Sequence, residues 1–458
     1  MISLARINKY LLWLTLVAIP WQLRHTLLFA EHQGEFFEYA SISIYLSDIL
    51  IGALLLTWLI IPGKSEFKIG PRVLFWSLSG LIAWMWVSVW YTSFTTGNWL
   101  VGINNAAHFT LFYLFYLYLV NRVEHIYEVI VPLIAGMALQ AGIAISQYLA
   151  NHSLGWKFLG ESDLDPAVLG IPVVMIDGAR HLRAHGTLPH ANILGGYLAA
   201  IFPWVLMMYI VIKSWWRRWV VWAVLVAGAT AILFSFSRTA WLAVGVAVIV
   251  WGVGKFFYSR HWRWSWLSWL AGGVVLAVMI NQYTAILSRL GTDQIALERE
   301  SVVSRVEQLD QFKSVYDKYA LTGIGIGQYT LYLEKQDLGA VGWHYDQTSP
   351  GWVYNLSHQV WDYQPVHNLW LMALAELGWI GGILFLLVVL IAALAVIRLV
   401  IIRKDLVSFT AAVSYLAVLL TGSFDHYLWT LQQGRLILFL SVGIIALLCQ
   451  QNNLNHAT

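Results

Sequence analysis

The chain is a series of long apolar runs separated by short polar segments. A bilayer core of about 30 Å needs roughly 20 apolar residues in helical form, and most of the runs approach that length. The pattern predicts an all-α membrane protein with about twelve transmembrane helices. The predicted spans are 10–30, 42–61, 73–92, 100–120, 129–149, 190–212, 219–236, 239–257, 264–283, 367–397, 406–423 and 434–450.

Two connections between the predicted spans are long enough to hold structure outside the bilayer. One is 150–189, between the fifth and sixth spans, and the other is 284–366, between the ninth and tenth. The chain therefore divides into spans one to nine within 1–283, a large loop at 284–366, and spans ten to twelve within 367–458. No internal repeat is evident along this arrangement.

Positive charges gather on alternate connections, and this asymmetry predicts the orientation. Arg6 and Lys9 precede the first span. The connections on the same side as these residues hold Lys64, Lys68, Arg72, Arg122, Lys213, Arg217, Arg218, Lys255, Arg260, Arg263, Arg398, Arg403 and Lys404. Because cytoplasmic loops carry the excess of Lys and Arg, both termini are predicted to be cytoplasmic. The two long connections then lie at the outer face of a bacterial cytoplasmic membrane.

Composition narrows the class of protein further. Hydrophobic residues make up 59% of the chain and charged residues 11%, whereas a soluble domain has about 25% charged residues. The single cysteine, Cys449, excludes an internal disulfide framework and a cysteine-based metal site. The sequence has no Walker-type phosphate loop, so ATP-driven work is not expected of this chain, and no cofactor is predicted.

The large loop contains a pattern typical of an amphipathic helix at 302–320. Its apolar residues recur at steps of three and four and are Val302, Val306, Leu309, Phe312, Tyr316 and Tyr319. Arg305 falls within this stripe. A buried guanidinium is costly unless an anion meets it. We therefore expect Arg305 to point into the protein, over the outer mouth of the helix bundle.

Two further arginines lie at the predicted outer face. Arg183 opens a segment that leads through Gly186 and Pro189 to Asn192, near the start of the sixth span, where backbone N–H groups and Arg183 could converge on an anion. Arg238 follows Ser237 in the tight hairpin between the seventh and eighth spans, against the positive-inside trend. The alternative for both arginines is a side chain that extends to the lipid headgroups.

His367 lies where the large loop enters the tenth span, and Asn368 follows it. A neutral imidazole at this place could act as a base, although a single interfacial histidine is more often structural. The glycine-rich segment 323–329 has the wrong spacing for a nucleotide loop and predicts a tight backbone turn after the amphipathic helix. The histidines at 181, 185 and 190 lack an acidic partner in a zinc-like pattern, so no metal site is predicted.

Several arginines and one histidine at the outer face, with no ATP machinery, favour one kind of chemistry. Arginine forks bind a diphosphate in a bidentate manner, and a histidine can take the proton from an attacking hydroxyl. The energy would come from a substrate that is already activated, such as a sugar on a polyprenyl diphosphate presented from the membrane.

These residues also resemble a known family. His367-Asn368, followed after nine residues by Gly378 and after two more by Gly381, resembles the signature of the O-antigen ligase and O-antigen polymerase superfamily. The segments 183–192, Ser237-Arg238, and Arg305 leading to 323–329 are similar to further motifs of that family, in the same order. The number of spans and the position of the long loop agree with the family as well.

The resemblance implies a metal-independent, inverting glycosyltransferase of the membrane GT-C type. It would move a glycan from undecaprenyl diphosphate to an acceptor hydroxyl on a glycan, a glycolipid or a protein, and no nucleic acid is involved. By position, His367 would activate the acceptor, Arg183 and Arg238 would hold the diphosphate, and Arg305 would contribute from the loop helix. Asn192 and Asn368 are further candidate substrate-binding residues.

Two other classes remain open at this point. A transporter or flippase for lipid-linked sugars also has many spans, but such proteins usually show repeats and broken helices at the midplane. A structural scaffold for polysaccharide export would leave Arg238 and His367 without a role. A transfer assay with a lipid-linked glycan separates these classes from the enzyme.

Overall fold

A computed structural model gives the architecture of the protein, and the described part is mostly helical. It describes residues 4–61, 67–168, 170–176, 178–258, 266–290, 295–338, 343–346, 351–354 and 362–455. Parts of the predicted connections at 62–72 and 284–366 lie outside these ranges.

The described helices are numbered α1 to α16 in chain order. They are Leu4–Ala18, Leu46–Ile60, Arg72–Tyr91, Trp99–Arg122, Tyr127–Ala150, Ala191–Val211, Trp215–Phe234, Arg238–Tyr258, Trp266–Asn281, Tyr283–Leu290, Ile295–Tyr319, Tyr329–Lys335, Leu369–Arg403, Leu406–Ser423, Tyr427–Thr430 and Gln432–Asn455.

Strands β1 to β8 form small antiparallel pairs in the connections. They are Arg24–Leu28, Glu31–His32, Glu35–Phe36, Ile42–Tyr45, Val173–Ile176, Ala179–Leu182, Trp343–Asp346 and Gly351–Tyr354. β1 pairs with β4, and each of the other three pairs is a local hairpin.

Within the described ranges, eight helices are long and apolar enough to cross a membrane: α3, α4, α5, α6, α7, α13, α14 and α16. The apolar helices α2 and α9 are shorter, and α8 is apolar over Arg238–Gly254. These helices support a multi-pass membrane protein, while the count of twelve spans and the position of the large loop remain predictions.

The first predicted span, 10–30, is wrong in its position. α1 ends at Ala18, shortly before Pro20, and the residues of β1 pair with β4 instead of continuing the helix. Leu27, Leu28 and Phe29 extended the apolar run in the sequence, but each side chain is at least half exposed. The second predicted span, 42–61, begins later than expected for the same reason, because 42–45 form the partner strand.

α13 is broken at Gly378, whose φ of 63° and ψ of −167° are not helical. The glycine-rich turn after α11 fills the break. Ile324 and Gly325 donate backbone hydrogen bonds to the carbonyls of Ala375 and Glu376, at 3.1 and 2.9 Å. In return, the N–H of Trp379 donates to the carbonyl of residue 320 at 2.8 Å.

The turn itself confirms the prediction for 323–329. Gly323, Gly325 and Gly327 all have positive φ angles. A Cβ on Gly323 would lie 2.3 Å from the carbonyl oxygen of Glu376, so only glycine allows this approach. The two glycine-rich segments of the sequence are therefore parts of one backbone junction.

The predicted loop helix 302–320 corresponds to the later part of α11, which ends at Tyr319. Its predicted buried stripe is only partly correct: Phe312 and Tyr319 pack against the core, but other members do not. Val306 and Leu309 are more than half exposed, and Arg305 is exposed as well. The buried positions include Gln308, Gln311 and Val315. This helix buries amides because its neighbours offer polar groups: Gln311 Nε2, for example, donates to the Leu338 carbonyl at 2.8 Å.

The ends of several helices meet at one end of the bundle. The start of α13 contacts the end of α14 through Asn368 Nδ2, which donates to the Ser423 carbonyl at 2.9 Å. The segment before α6 contacts the end of α7, where Ala184 N–H donates to the Phe234 carbonyl at 2.9 Å. The candidate residues at 183–192, 235–238 and 367–368 therefore lie at the same end.

Candidate active site

His367 is held by Gln308 of the loop helix. Gln308 Oε1 lies 3.2 Å from the backbone nitrogen of His367 and 2.8 Å from its Nδ1. The backbone N–H can only donate, so the atom facing it is the amide oxygen. Nδ1 faces the same oxygen and must carry a hydrogen. In the neutral imidazole, the lone pair is then on Nε2.

Asp425 and His426, between α14 and α15, lie beside His367. The rings of His426 and His367 are edge to face, with centroids 5.0 Å apart. Asp425 Oδ1 accepts a hydrogen bond from the backbone N–H of His426 at 2.8 Å. His426 Nδ1 is 2.7 Å from Thr430 Oγ1. These two residues were not predicted from the sequence.

Asn192 connects the first arginine motif to Asp425. Arg183 is buried, and its Nη2 donates to Asn192 Oδ1 at 2.7 Å while its Nε donates to the Ser235 carbonyl at 2.8 Å. Asn192 Nδ2 lies 3.3 Å from Asp425 Oδ2. The N-cap of α6 is His190 rather than Asn192, since His190 Nδ1 accepts from the Asn192 backbone N–H.

The hairpin between α7 and α8 has the tight geometry that the sequence predicts. Ser237 Oγ accepts from the Ala240 N–H at 3.3 Å, so this serine caps α8, and the half-buried Arg238 is the first residue of the helix. Phe236 has a φ of 47°, an uncommon angle for a bulky residue. A Cβ on Gly195 would lie 2.6 Å from Ala240 Cβ, so α6 packs closely on the hairpin.

Arg305 lies one helical turn before Gln308, and its charge reaches His367. Burial lowers the pKa of His367, the carboxylate of Asp425 opposes that effect, and the Arg305 guanidinium lowers the pKa further. The imidazole is therefore neutral at neutral pH and can accept a proton. Arg305 is exposed, and its effect on the pKa of His367 is the smallest of the three.

The neighbouring histidines are neutral as well. Burial lowers the pKa of His426 to about 3, with Asp425 opposing the effect and His367 adding to it. Burial also lowers the pKa of His190 well below its usual value, and Arg183 is the next largest cause. The site is thus built from neutral imidazoles, one carboxylate and the arginines around them.

Asn368 caps the first half of α13. Its Oδ1 accepts from the backbone N–H groups of Trp370 and Leu371, at 2.9 and 3.1 Å. Its Nδ2 donates to the end of α14, as described above. Both ends of the amide are therefore used to fix the position of His367 directly before it.

Three of these residues could hold a metal ion. One ligand atom from each of His367, Asp425 and His426 lies within 4.8 Å of the other two. Two neutral imidazoles and a carboxylate suit zinc or a related ion. These residues are not the histidines at 181, 185 and 190, for which the sequence predicts no metal site.

The structure brings most of the predicted site residues together. Asn192 contacts Asp425 and links it to Arg183, which also holds the hairpin that carries Arg238. Asn368 follows His367 directly and binds the end of α14, and the charge of Arg305 acts on the pKa of His367. A sequence signal for Asp425-His426 was present, because this polar pair follows the eleventh predicted span on the same side as His367.

Comparison with known families then identifies the central part of the chain. Residues 223–386 match the family described as "O-Antigen ligase". This stretch is similar to an O-antigen ligase domain. This confirms the resemblance to the O-antigen ligase and polymerase superfamily and supports glycosyl transfer of that general kind. A search among curated proteins found no significant match.

The matched stretch includes only part of the site. Arg238, Arg305, His367 and Asn368 lie within 223–386. The remaining residues lie outside the matched range and are added to the domain by the fold: Arg183, Asn192, Asp425 and His426.

Proposed function

We propose that this O-antigen ligase-like protein transfers a glycan from a polyprenyl diphosphate, such as undecaprenyl diphosphate, to an acceptor hydroxyl at the outer face of the cytoplasmic membrane. The observation that carries the proposal is the state of His367. Its Nδ1–H is bound to Gln308, its pKa is lowered chiefly by burial, and its Nε2 is left as a proton acceptor.

In the proposed reaction, the acceptor oxygen attacks the anomeric carbon of the donor sugar. Nε2 of His367 takes the proton from the acceptor hydroxyl as the new C–O bond forms. The bond from the anomeric carbon to the phosphate oxygen breaks, and polyprenyl diphosphate leaves with the electron pair. Direct displacement of this kind inverts the configuration at the anomeric carbon, and no metal is required.

The arginines divide into two roles in this proposal. Arg238 is half-buried and Arg305 is exposed. In this proposal both contact the diphosphate and stabilise the charge of the leaving group. Arg183 is buried, and its bonds to Ser235 and Asn192 position the hairpin and the side chains around Asp425. Asn192 and Asn368 act in the same positioning way, and direct substrate contacts by Arg183, Asn192 and Asn368 remain predictions.

The experiment is a transfer assay with purified protein, a polyprenyl-diphosphate glycan and acceptors of several classes, with and without EDTA. His367→Ala should lose about 10²–10⁴ in turnover while donor binding persists, because the imidazole contacts the acceptor proton and not the donor. His152→Ala, an exposed histidine in the connection before α6, is the matched control.

Full activity of His367→Ala, or loss of wild-type activity in EDTA, would contradict the proposed chemistry. Movement of a lipid-linked sugar across vesicles without any transfer would support the flippase alternative instead.

The orientation is also a proposal, supported by the Lys and Arg asymmetry. In a Cys449→Ser background, an impermeant thiol reagent should label His152→Cys in intact cells and leave Lys213→Cys unlabelled, since 213 lies in a connection expected to be cytoplasmic. Labelling of position 213 alone would reverse the proposed orientation.

A further inference from the structure

Three potential metal ligands meet at the proposed base. One ligand atom from each of His367, Asp425 and His426 lies within 4.8 Å of the other two, and His426 Nε2 is 4.0 Å from Asp425 Oδ1. In a tetrahedral zinc site with bonds of about 2.0–2.2 Å, the ligand atoms are about 3.3 Å apart. Each ligand atom would therefore move by less than about 1 Å to bind a shared ion, which small side-chain rotations can supply.

The two imidazoles present the same nitrogen to an ion, because the protein already uses the other one. His367 Nδ1 is 2.8 Å from Gln308 Oε1, and His426 Nδ1 is 2.7 Å from Thr430 Oγ1. The Thr430 hydroxyl donates to the His426 carbonyl at 3.4 Å, so its oxygen is available to accept from Nδ1. Both lone pairs are then on Nε2. Histidines that bind a metal almost always have their second nitrogen fixed by such an outer partner.

The carboxylate of Asp425 is held in the same way. Its Oδ1 accepts from the backbone N–H of His426 at 2.8 Å, and its Oδ2 lies 3.3 Å from Asn192 Nδ2. An ionised carboxylate offers about four lone-pair positions, so it can bind a cation as well. All three ligands therefore have an outer partner that fixes their direction.

The nearby His190 is different, although it is also a buried neutral histidine. Its Nδ1 accepts from the backbone N–H of Asn192 at 3.1 Å. In the neutral ring the hydrogen is then on Nε2, and no lone pair is left for an ion. The site therefore has three protein ligands and leaves a fourth position to water, an arrangement typical of an accessible zinc site.

The chemistry of the ligands and their exposure indicate which ion can bind. Two nitrogens and one carboxylate suit zinc or a related transition metal, whereas magnesium and calcium prefer oxygen ligands. Asp425 and His426 are buried, but His367 is only partly buried. An ion can therefore approach from the exposed side of His367.

We propose that His367, Asp425 and His426 form an inhibitory site for Zn²⁺ or a related transition-metal ion. The inference rests on the proposed role of His367 as the base. The ion binds the lone pair of His367 Nε2, which must otherwise accept the proton of the acceptor hydroxyl. Transfer stops while the ion is bound and resumes when the ion is removed. The transferase thus needs no metal for its reaction but is switched off by one.

The binding test uses the full-length protein in detergent, purified without a polyhistidine tag and stripped with EDTA, which is then removed. The lipid-linked donor is left out, because a diphosphate also binds divalent cations. Zn²⁺ is titrated by calorimetry, and Co²⁺ is followed by its visible absorption, which is intense in a tetrahedral site. Both ions should bind at a single strong site per chain, and Mg²⁺ should not bind there.

Two variants assign the site. His426→Ala removes a ligand, and Thr430→Val removes the hydroxyl behind His426 Nδ1 while keeping the shape of the side chain. Thr430→Val should raise the Kd for Zn²⁺ about 10–100-fold, the usual effect of losing an outer partner, and His426→Ala should raise it at least as much. His152→Ala, which removes an exposed histidine elsewhere, should leave the Kd unchanged. An unchanged Kd in His426→Ala would overturn the inference.

The transfer assay then tests inhibition at saturating donor. Zn²⁺ should lower turnover at concentrations near its Kd, EDTA should restore turnover, and donor Kd should not change. In Thr430→Val, the inhibitory concentration should rise by the same factor as the Kd. Equal inhibition of this variant and the wild type would place the inhibitory ion elsewhere and overturn the inference.

Failure of the inference can be separated from failure of the proposed function. If Zn²⁺ does not bind at this site, or binds without lowering turnover, the inference fails while the transferase stands. If EDTA abolishes transfer and Zn²⁺ restores it, the ion is required, which contradicts both the inhibitory role and the metal-free reaction. If the wild type transfers no glycan under any condition, the proposed function and the inhibitory role both fail.

Discussion

Gln308 and His367 lie 59 residues apart in the chain, and one amide oxygen of Gln308 accepts two hydrogen bonds from His367. The pair joins the loop helix α11 to the start of α13. The loop thereby selects the tautomer of the proposed base. Substitutions of Gln308 can separate this role of the residue from a purely structural role.

Gln308→Leu should lower turnover about tenfold with donor affinity unchanged, because a hydrogen bond of about 1–1.5 kcal/mol that fixes the tautomer is lost. Gln308→Glu should keep the hydrogen bond and raise the pKa of His367 through its negative charge. The acid limb of the pH–rate profile then moves to higher pH. The control is Gln311→Leu, which removes a buried glutamine from the same helix, and a shift of the limb in this control would contradict the assignment.

The pH dependence of the wild type follows from the lowered pKa of His367. Burial is the main cause. The imidazole therefore stays neutral at pH values somewhat below 6.5, the usual pKa of histidine, and turnover should fall only when the pH drops further. Arg305→Gln removes a charge that lowers this pKa and should move the acid limb up. Asp425→Asn removes a charge that raises it and should move the limb down.

The measurement is turnover against pH, from about pH 4.5 to 8, for both variants and for the exposed control Arg217→Gln at the opposite end of the bundle. Opposite shifts for the two site variants and none for the control are expected. Shifts in the same direction would show that His367 is not the titrating base.

Arg238→Ala should weaken both donor binding and turnover, since a guanidinium that grips a diphosphate acts in the ground state and in the transition state. Loss of a charged hydrogen bond of about 1.5–3 kcal/mol corresponds to about 10–100-fold in donor Kd. Arg238→Lys should restore only part of the donor affinity, because an ammonium group cannot bind the diphosphate in the bidentate manner of a guanidinium. Arg217→Ala serves as control, and an unchanged donor Kd in Arg238→Ala would remove Arg238 from the diphosphate site.

Gly378→Ala should destabilise the fold. The φ and ψ of Gly378 lie in a region that is open almost only to glycine, at a cost of about 1–3 kcal/mol for other residues. The new Cβ would also lie 2.4 Å from the backbone of Leu321. Thermal unfolding in detergent should show a lower Tm, whereas Gly245→Ala, with open space around its Cβ, should leave Tm nearly unchanged. Equal Tm values would mean that the break at Gly378 is not required.

The sequence could predict those features that depend on local pattern. Most apolar runs became helices close to the predicted limits, and the turns at 237–238 and 323–329 followed from short polar gaps and glycines. The first span failed because Leu27 and Leu28 are apolar but belong to a strand pair, and hydropathy does not distinguish an exposed strand from a helix in lipid.

The missing parts of the site depend on contacts between distant segments. A hydrophobic stripe does not tell whether protein covers it, so Val306 and Leu309 were assigned to the wrong face and Gln308 was overlooked. Asp425 and His426 lie 58 and 59 positions after His367, and their proximity to it depends on how α13 packs on α14. The predicted spans place this pair on the same side as His367, but no local pattern shows that it lies beside the ring.

The junction between the glycine-rich turn and Gly378 has a consequence for the order in which the protein is made. Inside a bilayer, every backbone polar group needs a partner, and α13 alone cannot satisfy the carbonyls of Ala375 and Glu376. Their partners at 324–325 precede them in the chain and leave the ribosome first. The hydrogen bonds of α13 are therefore completed by a segment that has already been synthesised when α13 is made.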